Sequence, residues 1–117
     1  MNMLQELKTL GVDTEDAINR MNGNISLYER MLIKFVDMMR NSSVRQDFDC
    51  KDYASAVESA HAIKGVSGNL SITPVYKAYS EIVRLLRADM PEQAEQILEK
   101  VMPVQTEIIT CIEKYAR

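Results

Sequence analysis

The sequence predicts an all-α protein, an up-down-up-down antiparallel four-helix bundle with short helices at its N-terminal end. Three observations lead there. Long stretches carry apolar residues at spacings of three and four, the period of a helix lying on a core. The connections between them are short, which makes successive helices antiparallel neighbours. No stretch alternates apolar and polar residues over a convincing length, and there is no repeat or low-complexity tract. At 117 residues the chain is expected to be one domain, residues 1–117, with room for a real core and none for a second.

From the N-terminus, Leu4, Leu7 and Leu10 form a short amphipathic piece, Met3 to Leu10, ending at Gly11 as its C-cap. Asp13 or Thr14 caps the next piece, Thr14 to Met21, with Glu15 and Asp16 favourably placed in its first turn. It is expected to bury Ala17, Ile18 and Met21 and to stop at Asn22-Gly23-Asn24. Ser26 begins a long helix that reaches Arg40. Its Leu27, Tyr28, Met31, Leu32, Phe35, Val36, Met38 and Met39 spread wider than one stripe. Such a face either touches two neighbours or leaves a docking patch for a partner near the histidine. Asn41-Ser42-Ser43 is turn-prone, and the segment to Asp49 reads as a loop or frayed half-turn.

A helix follows from Cys50 to Leu70. Thr73-Pro74 opens the next, threonine as cap and proline in the first turn, and packs Val75, Tyr79, Ile82, Val83 and Leu86. Asp89-Met90-Pro91-Glu92 has the layout of a capping box for the last helix. The stripe of that helix is Ala94, Ile97, Leu98, Val101, Val104, Ile108, Cys111, Ile112 and Tyr115. Pro103 lies inside it and predicts a kink rather than an end.

The helix from Cys50 to Leu70 holds the one histidine of the chain and two of its four glycines. Tyr53, Ala56, Ala60, Ile63, Ser67 and Leu70 form its core stripe. On a wheel of about 100° per residue, His61 falls at the flank of that stripe. Ala54, Val57, Glu58, Lys64, Gly65 and Gly68 share its side, within roughly 60°. The imidazole is therefore rooted in a helix yet reachable from solvent. A glycine inside a helix costs about 1 kcal/mol relative to alanine. Two of them on the histidine face remove bulk where something large must approach, and Lys64 adds a flexible positive charge. That combination suits an anionic group delivered by a bulky partner.

Composition removes several function classes. A net charge of −3 argues against a general nucleic-acid binder. No apolar run approaches the length of a membrane span. Met1-Asn2-Met3-Leu4-Gln5-Glu6 lacks the layout of a signal peptide, so the expected location is the cytoplasm. Cys50 and Cys111 show no metal-ligand spacing and are expected to be a reduced, structural pair. Eight methionines and no tryptophan suggest a malleable aliphatic core. There is no phosphate-binding glycine loop for ATP, no nucleophile elbow for a hydrolase triad, and no ligand set beside the lone histidine.

His61-Ala62-Ile63-Lys64-Gly65 matches the H-x-[LI]-K-G signature of histidine-containing phosphotransfer (HPt) domains, and the chain resembles that family. Gly11-Val12-Asp13 and Gly23-Asn24-Ile25-Ser26-Leu27-Tyr28, continuing to Phe35, resemble its lead-in helices. The resemblance runs from Gly11 to Leu86, with one departure: Ser71 stands where the family commonly has a glycine. It implies a phosphorelay intermediate in two-component signalling, a carrier with no turnover of its own. His61 would accept the phosphoryl group from a receiver-domain aspartate or a kinase and pass it to another receiver. A neutral imidazole nitrogen attacks phosphorus without a general base. Lys64 would hold the phosphoryl oxygens, and Gly65 and Gly68 would admit the partner. No cofactor is implied on this chain; Mg²⁺ would come with the receiver. The expected partners are receiver domains or a histidine kinase, with no nucleic acid and no membrane, and the expected state is a monomer. A competing reading is a regulatory module that docks on a receiver or kinase and inhibits it without being phosphorylated. A fragment of a larger hybrid kinase is a third, against which a starting methionine and a complete last helix favour a freestanding protein.

Overall fold

Side-chain caps and left-handed turns cut the described residues into seven helices. In the computed structural model, which describes residues 1–116, they are α1 (Met3–Thr9), α2 (Thr14–Arg20), α3 (Ile25–Arg40), α4 (Val44–Asp49), α5 (Tyr53–Asn69), α6 (Thr73–Arg87) and α7 (Pro91–Tyr115). There is no strand among the described residues. Asn2 and Gln5 close a capping box at α1. Asp13, Asn24 and Asp52 each accept the N3 amide of the helix they precede. These caps satisfy amides that a helix leaves without an internal partner. Gly11, at φ +92°, takes the left-handed turn after α1, and a Cβ there would lie 2.9 Å from Pro74 Cγ.

Several boundaries differ from the sequence reading, each for a local reason. α3 begins at Ile25 rather than Ser26, because Asn24 supplies the cap. The expected loop before Asp49 contains the helix α4, which buries Val44 and Phe48 on one face. α5 begins at Tyr53 rather than Cys50, because Lys51 turns left-handed at φ +57° and Asp52 caps. Ile72 and Met90, not Thr73 and the Asp89 capping box, occupy the N-caps of α6 and α7, and neither makes a side-chain cap bond. Asp89 is left-handed at φ +59°, ending α6 instead of opening α7. α7 continues through Pro103 as one helix.

α5 packs against α6, α4 and α3; α6 and α3 both pack against α7; α1 lies on α7, and α2 links α1 to α3. The face of α3 therefore meets several neighbours, burying Tyr28, Leu32, Phe35, Val36 and Met39, as the two-neighbour reading expects. The core centre is aromatic and branched aliphatic: Tyr28, Phe35, Phe48 and Tyr79 with Leu7, Leu32, Ile63, Leu70, Ile82, Leu98 and Ile108. Of the methionines only Met3 and Met39 are buried, so the flexible side chains fill margins rather than the middle. On α7 the expected stripe is buried at Ala94, Leu98, Val101, Ile108, Cys111 and Ile112, whereas Val104 and Tyr115 are exposed. Cys111 is buried but Cys50 is exposed at the end of α4, so the two are not a structural pair. Burial beside the Glu6 carboxylate pushes the Cys111 thiol up to about 11.

Several buried polar groups find partners across helices, although the buried Thr14 hydroxyl has none among the described residues. The Tyr28 hydroxyl donates to the Leu70 carbonyl at 2.9 Å, and the Tyr79 hydroxyl to Gln105 Oε1 at 2.7 Å. Asp47 accepts from Ser43 at 3.0 Å and from Ser59 at 3.1 Å, which ties α4 to α5 two residues before the histidine. Arg45 pairs with both Asp49 and Glu95, tying α4 to α7. No helix among the described residues is long and apolar enough to cross a membrane.

Candidate functional site

The rotation of α5 decides what the site exposes. Ala56, Ala60, Ile63 and Ser67 are buried along one edge. The buried Ser67 hydroxyl donates back to the Ile63 carbonyl at 2.6 Å and so leaves no unpaired group against the core. With that edge fixed, His61 is exposed, Lys64 half-buried and Gly65 exposed, as the helical wheel anticipates. His61, Lys64, Gly65, Gly68, Asn69 and Tyr76 line one open depression of about 250 Å³. Glu58 is exposed and does not line it. None of the ion pairs among the described residues engages the Lys64 ammonium, which stays available to an anion. No cluster of three or more metal-ligating side chains occurs among the described residues.

The two glycines differ. A Cβ on Gly65 would meet nothing within 4 Å, so that position is open to an approaching molecule. A Cβ on Gly68 would lie 2.9 Å from Tyr76 Cδ1 and 3.0 Å from Cε1. The space expected to be free at Gly68 is filled from inside the molecule: the missing side chain seats the Tyr76 ring of α6 on the backbone of α5. Helical periodicity alone does not single out Tyr76. Its one signal was a large aromatic residue lying off the buried stripe of α6, and 40% of its surface remains exposed.

Beyond Gly68 the end of α5 is clamped. The Ile72 amide donates to the Ser67 carbonyl and the Ser71 amide to the Gly68 carbonyl, a Schellman pair. Ser71 occupies its left-handed position at φ +53°, where a glycine carries no steric cost. The departure from glycine has a partner: the Ser71 hydroxyl donates to Asp16 Oδ2 at 2.7 Å. Asp16 pairs with Arg20 at 3.0 Å, and Arg20 donates to the Gly68 carbonyl at 2.9 Å. The Asp13 amide also donates to the Ser71 carbonyl at 2.9 Å. Thus α2 is stapled across the last turn of α5 and holds the floor beneath Gly68 and Asn69.

No protein-family model matches the chain, and no solved structure matches it. Among curated proteins it is similar to the sensory/regulatory protein RpfC of two strains of Xanthomonas campestris pv. campestris, 31% identical over 97 residues. That match takes in 80% of this chain but spans only 11% of the length of the curated relatives.

Proposed function

We propose that the chain is a phosphoryl carrier of the histidine-phosphotransfer type in two-component signalling. In this reading α3, α5, α6 and α7 form an up-down-up-down four-helix bundle, a single domain that acts as a monomer. The observation that carries the reading is the shared depression: an exposed His61 on a core-anchored helix, with Lys64 and the open flank of Gly65 beside it. The likeness of most of the chain to part of a sensory/regulatory protein supports a signalling role.

Phosphoryl transfer demands in-line positioning and charge stabilisation more than covalent help from the protein. The donor is an aspartyl phosphate of a receiver domain, with that partner's Mg²⁺. The unprotonated ring nitrogen of His61 directs its lone pair at phosphorus, and an N–P bond forms. The P–O bond to the aspartyl oxygen breaks, its electron pair leaving on the restored carboxylate. Transfer to a second receiver reverses these roles. Lys64 faces the phosphoryl oxygens during both steps. Without an ATP-binding loop the chain has no phosphate source of its own and carries rather than generates the group.

The test is label uptake from a phosphorylated receiver by wild type and His61→Gln side by side. Acid-labile, base-stable label on wild type alone is the expected result. Tight receiver binding with no label on wild type would overturn the carrier reading in favour of a docking inhibitor.

A further inference from the structure

Tyr76 makes two otherwise unfavourable choices intelligible. α6 buries Val75, Tyr79, Ile82, Val83, Leu85 and Leu86, and Tyr76 lies off that face with a large aromatic surface in solvent. Directly beneath it α5 places a glycine, which costs a helix interior about 1 kcal/mol relative to alanine. Together they set the ring against backbone at the edge of the depression that holds His61 and Lys64. The hydroxyl is also uncommitted. Tyr28, Tyr79 and Tyr115 each donate to an internal acceptor, whereas no such bond from Tyr76 occurs among the described residues. An aromatic side chain already packed against backbone before contact loses less freedom on binding, and such residues carry a large share of interface energy.

We propose that Tyr76 is the contact by which α6 orients the incoming receiver domain: its ring, seated on Gly68, is the fixed wall against which the receiver's surface around the phosphoaspartate docks. The inference rests on the carrier reading and adds a partner-positioning residue to it. The ring, not the hydroxyl, supplies the contact, because the ring is what Gly68 holds. Tyr76 is a positioning residue; it neither accepts the phosphoryl group nor activates His61.

The experiment measures single-turnover transfer from a phosphorylated receiver at rising receiver concentration, for wild type, Tyr76→Ala and Tyr76→Phe. Binding of the unphosphorylated receiver and labelling by phosphoramidate, a small donor that needs no docking, are measured in parallel. For Tyr76→Ala the half-saturating receiver concentration and the dissociation constant should rise about tenfold. The saturating rate and phosphoramidate labelling should stay within about twofold of wild type, a split a merely structural role would not produce. Tyr76→Phe should restore wild-type values. Unchanged half-saturation and binding in Tyr76→Ala, or a Tyr76→Phe as impaired as Tyr76→Ala, would overturn the proposal. Failure of wild type to label from either donor would instead sink the carrier reading, and receiver binding would still decide whether Tyr76 is a docking contact.

Discussion

Gly65→Ala separates the cost of a glycine from its use. Alanine in place of a helix-interior glycine stabilises by about 1 kcal/mol. At Gly65 nothing opposes that gain, since the added Cβ meets no atom within 4 Å. For a chain of this size 1 kcal/mol moves Tm by about 4 °C, so Gly65→Ala should melt that much higher. Gly68→Ala carries the same propensity gain, but its Cβ would sit 2.9 Å from the Tyr76 ring, which must lift. It should therefore show less stabilisation than Gly65→Ala, or none. Thermal melting followed by circular dichroism, with urea titration as a second measure, reads both. Gly65→Leu carries the argument to function. Its side chain also projects into open space and should fold at least as stably as wild type. If the open flank admits the partner, its transfer from a receiver should fall about tenfold, the worth of 1.4 kcal/mol of lost contact. Native-rate transfer by a well-folded Gly65→Leu would refute the clearance argument, and a destabilised Gly65→Ala would refute the local geometry.

Three further outcomes are expected. His61→Gln should melt with wild type, because the imidazole is exposed beside the core rather than in it, and should take up no label. Ser71→Ala keeps a left-handed residue but loses the bond to Asp16, costing about 1–3 kcal/mol for a hydrogen bond to a charged group. Ser71→Gly loses the same bond but sheds about 1 kcal/mol of left-handed strain, so it should unfold at higher urea than Ser71→Ala. At alkaline pH, burial pushes the Tyr79 phenol up to about 12. Because the folded value lies above the ordinary one near 10, its contribution is complete below pH ~10 and is lost as pH rises towards the folded value. The loss amounts to about 3 kcal/mol. Stability measured from pH 9 to 12 should fall less steeply in Tyr79→Phe than in wild type, and parallel curves would count against burial as the cause.

What a sequence reveals of such a site depends on whether the relation lies along one helix or between two. The flank position of His61, the proximity of Lys64 and the openness of Gly65 follow from a period repeated over the length of α5, and the structure places them as that period requires. The long helices α3, α6 and α7 were legible for the same reason. α4 was not: Val44 and Phe48 are one apolar pair on six residues, too little repetition to tell a helix from a loop. Of the side-chain caps, Asp13 was legible whereas Asn24 and Asp52 were not, and the caps of α6 and α7 were misplaced because Ile72 and Met90 make no side-chain bond.

Gly68 shows the limit most sharply. Its position on the histidine face is a property of α5, but what fills the space above it is set by how α6 folds back after Ser71. That return angle is held by contacts far away in sequence, among them the Ser71–Asp16–Arg20 staple from α2. The same glycine therefore reads as clearance when only its own helix is considered and as a seat for Tyr76 once its neighbour is placed. A carrier needs both kinds of surface, an open one where the phosphoryl group crosses and a rigid one against which the partner registers. Under the proposed function Gly65 would supply the first and Gly68 with Tyr76 the second, so two chemically identical residues three positions apart should answer substitution differently. Gly65→Ala should gain stability without disturbing Tyr76, while Gly68→Ala should shift the Tyr76 ring resonances in an NMR spectrum. Identical spectra around Tyr76 in the two variants would show that this division between the glycines is false.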